Sequence, residues 1–185
     1  MVITDTTNGA AAIARQLRIS SVDLRPWKLR WTPVCASTET ALSRWLKEKP
    51  LSGDSPRAFL AGRQNNGIGQ YGRLWEAPRG GVWLSAALPI YDFDNSVGLL
   101  GLAVAVALSE RLEKKGIVVQ IKWPNDLLVR NRKLAGLLPR LIYRGGKLRM
   151  ARVGVGLNVH NRVPLEGISM LEIVRRGNCQ LSVWS

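Results

Sequence analysis

Between residues 117 and 159 the chain carries four apolar, β-favouring runs separated by turns too short for anything but antiparallel neighbours. Runs 117–123 and 126–130 flank Pro124-Asn125, runs 126–130 and 134–143 flank Asn131-Arg132, and runs 134–143 and 147–159 flank Gly145-Gly146. A parallel pair needs a crossover of a dozen or more residues, so this stretch is committed to an antiparallel meander. Upstream, 58–64 and 82–90 read as further strands, and Pro26 to Cys35 as an extended segment with Trp27, Leu29 and Trp31 on one face. Residues 9–18 read as a short Ala-rich helix. A second helix starts at a Ser37 or Thr38 cap, repeats Ala41, Leu42, Trp45 and Leu46 at helical spacing and stops at Pro50. A third, 96–115, is apolar nearly all round to Leu108, turns charged at SERLEKK and ends at Gly116. The expected fold is α+β: a mainly antiparallel mixed sheet with helices packed on one face.

A chain of 185 residues has the length of one ordinary domain. The expected organisation is a single catalytic unit over 1–185, with its motifs between about 37 and 160. The longest uncharged apolar run, Val97 to Leu108, is too short to cross a bilayer, and the N-terminus lacks the basic start and apolar block of a signal peptide. A cytoplasmic location with no membrane partner is therefore expected. Cys35 and Cys179 form no metal or redox spacing and read as reduced core residues. His160 is the single histidine, which argues against zinc chemistry and a Ser-His-Asp triad. The formal charge of +14 suits either a nucleic-acid binder or an enzyme with anionic substrates. From Lys122 to Arg152 there are nine Lys or Arg and one acid, so Asp126 stands out against a basic surface.

Gly67 to Gly72, GIGQYG, satisfies G-x-G-x-x-G after a predicted strand, but the dinucleotide fingerprint must open a helix, and Pro78 and Gly80-Gly81 stand where that helix would run. What remains is a loop whose bare backbone can approach a carboxylate or phosphate, or a purely structural hairpin. Arg73 and Trp75 follow at alternate positions, a phosphate fork and a flat ring on one side of an extended segment. A surface arginine and a core tryptophan is the duller and commoner explanation. If 126–130 pairs with 134–143, Asp126 and Lys133 meet at one edge of the sheet. They then form either a surface salt bridge of little worth or a reactive pair. In the second case Asp126 and Asn125 hold Mg²⁺ and phosphate oxygens, and Lys133 sits where a carboxylate meets an α-phosphate. Gly136 would let a ligand lie against the backbone, and GVGLN, ending at Asn158, bounds a nucleotide pocket or simply packs tightly.

GxGxxGRxW, KWPNDL, RKLAG and GxGxN in this order and spacing resemble the catalytic domain of biotin–protein ligases, also called biotin–acetyl-CoA-carboxylase ligases, and more distantly the lipoate ligases. The resemblance runs from about Ser37 to Asn158. It implies an ATP-dependent ligase in which biotin's carboxylate attacks the α-phosphate of ATP. The products are biotinyl-5′-AMP and pyrophosphate, and a lysine of the biotin carboxyl carrier protein then takes the biotinyl group. By this resemblance Lys133, Arg73 and Asp126 are catalytic. Ser37, Thr38, Gln64, Gly67, Gln70, Lys133 and Gly136 line the biotin site. Arg73, Trp75, Lys122, Asn125, Asp126 and Asn158 serve ATP, with Mg²⁺ on Asp126.

The departures from the family pattern are specific. The family's Ser-Thr-Asn is here Ser37-Thr38-Glu39, which places an acid where it can repel a carboxylate ligand. Ile68 and Gln70 stand where the glycine loop ordinarily carries arginines that hold the adenylate. A helix-turn-helix is not expected in 1–36, so no DNA partner follows, and neither is a small C-terminal β domain. The protein is expected as a monomer or homodimer. The alternatives are a ligase for lipoate or octanoate, a non-catalytic member that binds biotin or an adenylate, and a charge-driven nucleic-acid module whose affinity falls steeply with salt. Residues 161–185 suggest no function.

Overall fold

The computed structural model describes residues 27–51, 55–89 and 99–175. Its frame is a seven-stranded sheet built from β1 (Lys28–Thr32), β2 (Arg57–Ala61), β5 (Val82–Pro89), β9 (Lys147–Leu157), β8 (Arg132–Arg144), β7 (Asp126–Val129) and β6 (Gln120–Lys122), in that spatial order. Only β1 and β2 run parallel; every other neighbouring pair is antiparallel. A separate hairpin, β3 (Gln64–Ile68) and β4 (Leu74–Ala77), stands off the sheet around a 3₁₀ turn at Gln70–Gly72. The helices are α1 (Thr38–Glu48), α2 (Leu100–Glu113) and α3 (Met170–Arg175). The expected mixed α+β sheet is present. The helix predicted at 9–18 and Cys179 lie outside the described residues.

The turns explain the register. Gly145 and Gly146, at φ 59° and 71°, close β8 on β9 as a two-residue turn of the type that matches strand twist. The β7–β8 turn is centred one residue earlier than expected, on Arg130 and Asn131 at φ 52° and 61°, because Val129 pairs with Arg132. The segment 58–64, expected as one strand, is broken. At Gly62 a Cβ would come within 2.9 Å of the Pro33 carbonyl oxygen, and there the chain leaves β2 and enters the β3–β4 hairpin. Gly67 and Ile68, expected in the glycine loop, are strand.

Helices cover both faces of the sheet, where the sequence suggested one. In β5 and β9, Ala86 and Val153 pack in a cluster that includes Val104 of α2, whereas the next residue of β5, Ala87, and Met150 pack with Leu42, Trp45 and Leu46 of α1. Successive strand residues point to opposite faces, so α1 and α2 lie on opposite sides. Although α2 is apolar nearly all round, it buries only the stripe Gly101, Ala105, Ser109 and Leu112, and Val106 remains 41% exposed. Its core of Leu112, Leu127, Leu134 and Leu137 is fully or almost fully buried, and truncating one such leucine to alanine typically costs about 2–5 kcal/mol.

Both ends of α1 are held. Ser37 accepts the amide of Glu39 as N-cap. At the other end the buried guanidinium of Arg57 donates to the carbonyls of Lys49 and Pro50 and stacks on Trp45, 5.1 Å from the ring centroid. That clamp ties the C-terminal end of α1 to β2.

Candidate active site

On the face that carries α1, β8 and β9 present glycine where side chains would otherwise stand. Gly136 pairs with Gly156, and Gly154 pairs with Leu138 on one side and Ser85 on the other. Trp75 of β4 lies over the first pair: a Cβ at Gly156 would fall 2.7 Å from its indole Nε1, and one at Gly136 2.9 Å from its Cζ3. Trp83 meets this ring edge to face at 6.4 Å. The result is a cleft of about 400 Å³ floored by the sheet and walled by the start of α1, the β3–β4 hairpin and residues 164–167. Gly136, expected to bring a ligand against bare backbone, brings Trp75 there.

Lys133 reaches this face through an irregularity. Simple alternation from Gly136 and Leu138 would send Leu134 into the cleft and Lys133 behind the sheet. The register between β7 and β8 shifts at Leu127/Leu128, so that Leu127 faces Ala135 and Leu128 faces Lys133. The extra residue, Leu134, is buried in the core, and Lys133 turns to the cleft. Its Nζ lies 2.7 Å from Asp126 Oδ1 and 5.0 Å from the centre of the Trp75 ring. This ion pair is the contact made by the buried Asp126 Oδ1, which has no other partner among the described residues. The backbone of Lys133 is held on both sides, its N–H donating to the Glu166 carbonyl at 2.9 Å and its carbonyl accepting from Ile168 at 3.0 Å. Asn158 adds a side-chain bond to the same carbonyl at 3.2 Å. Asn125 donates from Nδ2 to Leu137 O at 2.9 Å, which leaves its amide oxygen uncommitted beside Asp126.

The opposite end of the cleft is a chain of polar groups. Gln64 Oε1 accepts from Thr38 N at 2.7 Å and from Thr38 Oγ1 at 3.0 Å. Because that hydroxyl proton is spent, the 2.9 Å contact between Thr38 Oγ1 and Ser85 Oγ has Ser85 as donor. Gln64 Nε2 and the Ser37 hydroxyl remain as donors, and Ser85 Oγ remains as an acceptor. An end wall follows. Arg152 Nη2 lies 3.1 Å from Glu39 Oε1 and donates to Glu39 O at 2.9 Å, with both residues buried. Burial pulls the Arg152 pKa down, the Glu39 carboxylate opposes that shift, and Arg140 adds to it. The acid expected to repel a carboxylate ligand thus carries its own counter-charge.

Ser37, Thr38, Gln64, Gln70, Arg73, Trp75, Asn125, Asp126, Lys133, Gly136 and Asn158 all line this cleft. Two of the expected residues do not. Gly67 faces β4, where a Cβ would meet Trp75 O at 2.4 Å, so it serves strand pairing. Lys122 is exposed at the end of β6, opposite Asp126 in the ladder but outside the cleft. Sequence reasoning missed Ser85, whose signal was a lone hydroxyl inside the apolar run VWLSAAL. It also missed the Arg152 counter-ion and the strap at 164–167, which carried no signal. Among the described residues no group of three or more His, Cys, Asp or Glu could hold a metal. A single carboxylate is nonetheless compatible with Mg²⁺, which binds one or two carboxylates together with phosphates and water. The Asp126 carboxylate, paired with Lys133, and the free Asn125 oxygen match that need.

Residues 31–158 match the model of the Biotin/lipoate A/B protein ligase family. The chain belongs to this family. It is 34% identical to biotin–protein ligase 2 of Arabidopsis thaliana over 74% of its own length and 42% of that protein's. It is 35% identical to the bifunctional ligase/repressor BirA of Escherichia coli over 70% of its length and 40% of that one's. The chain therefore spans less than half of these relatives. Among solved structures, the biotin protein ligase of Aquifex aeolicus in complex with biotin and ATP superposes with TM-score 0.63 at 33% identity, covering 78% of this chain and 60% of that one. A lipoate protein ligase homologue from T. acidophilum, at 14% identity and TM-score 0.56, shares the fold alone. In this member, Glu39 lines the cleft and pairs with Arg152, which stands outside the lining.

Proposed function

We propose that the chain is a biotin–protein ligase, activating biotin with ATP and passing it to a lysine of a biotin carboxyl carrier protein. The observation that carries this reading is the polarity of the cleft. One end holds a cation over an aromatic floor, and the other holds mixed donors and acceptors suited to a cyclic urea. A straight alkyl acid such as octanoate would find no use for Gln64, Thr38 and Ser85, which favours biotin over lipoate or octanoate.

In this reading biotin's ring lies against Ser37, Thr38, Gln64 and Ser85, and its carboxylate reaches Lys133. Two anions must approach for a carboxylate oxygen to attack the α-phosphorus. Lys133 offsets their repulsion and stabilises the charge that builds as the bond to pyrophosphate breaks. Trp75 fixes the lysine's height above the floor, and the strap at 166–168 fixes its backbone, so the charge is placed before substrate arrives. Arg73, at the mouth, is positioned for the phosphates. Asp126 and Asn125 would hold Mg²⁺, which supplies further neutralisation of the triphosphate when bound. In the second step the carrier lysine attacks the biotinyl carbonyl, loses a proton and expels AMP. No helix among the described residues is long and apolar enough to cross a membrane, and we place the reaction in the cytoplasm.

The test is pyrophosphate release with Mg-ATP and biotin, with lipoate and octanoate in parallel and the acyl-adenylate identified by mass spectrometry. Release with biotin and not with the alkyl acids is expected. Lys133→Ala should abolish release while the melting temperature stays near that of the parent; normal turnover by this variant would refute the lysine's role.

A further inference from the structure

We propose that the buried Glu39–Arg152 ion pair is the specificity wall of the cleft, admitting an acid with a polar cyclic head and turning away a straight alkyl chain. This rests on the ligase reading above and assigns the selection to two residues. The floor of the cleft is set by β9, where Gly154 and Gly156 stand on the same face as Arg152. Two positions without side chains are followed, on the next residue of that face, by a guanidinium. Trp75 and Lys133 sit at Gly136 and Gly156, four residues from Arg152, which is about 13 Å along the strand. The acid's far end therefore stops in front of the pair.

What it meets there decides which acids fit. Glu39 lines the cleft at 8% exposure, and Arg152, equally buried, stands outside the lining as its counter-ion. Glu39 occupies Arg152 Nη2 through both its side chain and its carbonyl, yet Arg152 Nε is buried with no hydrogen-bond partner. What a ligand meets is therefore the Glu39 carboxylate, held in place by the guanidinium. A methyl terminus pressed against it would displace water from charged groups and return nothing, the situation in which a site built for polar contacts rejects an apolar analogue strongly. A head group with N–H edges offers donors to the Glu39 carboxylate and to Ser85 Oγ. The thermodynamic role of the pair is separate, since a buried pair replaced as a unit by apolar groups need not lose stability, whereas breaking it from one side does.

The test is calorimetric titration of biotin and octanoate into the full chain, its Glu39→Met/Arg152→Met double variant and the nearly isosteric Glu39→Gln/Arg152→Met variant, each checked by thermal melting. The expected result is that the parent prefers biotin by at least about 100-fold and that removing both charges narrows this preference at least about tenfold. In turnover the loss should sit in the KM for biotin, with kcat within about twofold, because Lys133 is at the other end. A merely structural role would lower the melting temperature and leave the preference unchanged. A parent that binds octanoate within tenfold of biotin overturns the proposal whatever the variants do. Folded variants that keep the parent's preference overturn it with the ligase reading intact. A parent that binds neither acid overturns both.

Discussion

Gly156→Ala is the most informative perturbation of the cleft that leaves every polar group in place. A Cβ at this position would stand 2.7 Å from Trp75 Cε2 and Nε1 and 2.8 Å from Cζ2, whereas carbon contacts settle near 3.5–4.0 Å. Three rigid ring atoms are involved, so the indole must lift by roughly 1 Å. Overpacking of this kind costs about 1–3 kcal/mol, which for a chain of this size lowers Tm by about 2–12 °C. The functional effect should exceed the structural one. Lys133 Nζ is 5.0 Å from this ring, and displacing a positioned group by about 1 Å can cost about 100-fold in rate. The assay is kcat/KM for biotin-dependent pyrophosphate release beside a thermal melt. Gly154→Ala is the milder companion, because its Cβ meets only Leu138 Cβ at 3.2 Å, with other atoms no nearer than 3.9 Å. A Gly156→Ala enzyme with parental Tm and activity would refute the claim that Trp75 is set by bare glycines.

Other perturbations separate stability from chemistry. Asp126→Ala removes a partly exposed ion pair worth about 0–1 kcal/mol, so melting should barely move while adenylate formation falls at least about 100-fold. Parental activity would remove Asp126 from the reaction. Arg57→Ala strips two charged hydrogen bonds and a ring contact from the end of α1 and should cost about 2–4 kcal/mol in urea unfolding; the KM for biotin should rise with it, since Thr38 rides on the same helix. Burial raises the pKa of the Cys35 thiol. The folded state therefore holds that proton more tightly than the unfolded chain, and the stability this adds is present below the ordinary thiol pKa and lost as pH rises through the raised value. Alkylation of Cys35 by iodoacetamide at mildly alkaline pH, followed by peptide mass spectrometry, should accordingly be slower in the folded protein than in urea.

What could be read from the sequence was local. The Gly145-Gly146 turn, the cap read at Ser37 or Thr38 and the strand read from 147 each depend on residues within a few positions of one another; the turn formed, the cap is Ser37 and the strand runs Lys147–Leu157. The orientation of Lys133 was not legible, because it depends on a ladder irregularity opposite Leu127 and Leu128 that puts Leu134 into the core. Nor was the side of the sheet taken by each helix, since α1 and α2 both carry apolar stripes and the choice is made by Ala87 on one face and Ala86 on the other. Contacts between distant positions left no trace: Glu166 meets Lys133 across 33 residues, and Arg152 meets Glu39 across 113. The motifs picked out residues that the fold brings together in one cleft. They failed at Gly67 and Lys122, where spacing cannot tell a residue that faces the ligand from one that shapes the strand behind it.

One strand shows how core and site are written in the same residues. In Arg152-Val153-Gly154-Val155-Gly156-Leu157, Val153, Val155 and Leu157 pack on the α2 side, while Arg152, Gly154 and Gly156 face α1 and the cleft. Period-2 alternation lets the apolar set be chosen for burial and the other set for shape, without compromise between them. The consequence is directional. On the cleft side the strand changes from a guanidinium to two empty positions, and the second of them, Gly156, admits Trp75, which in turn sets the height of Lys133. A one-residue slip of β9 would send two valines into the cleft and an arginine into the core, so the register that stabilises the sheet is also the register that makes the site.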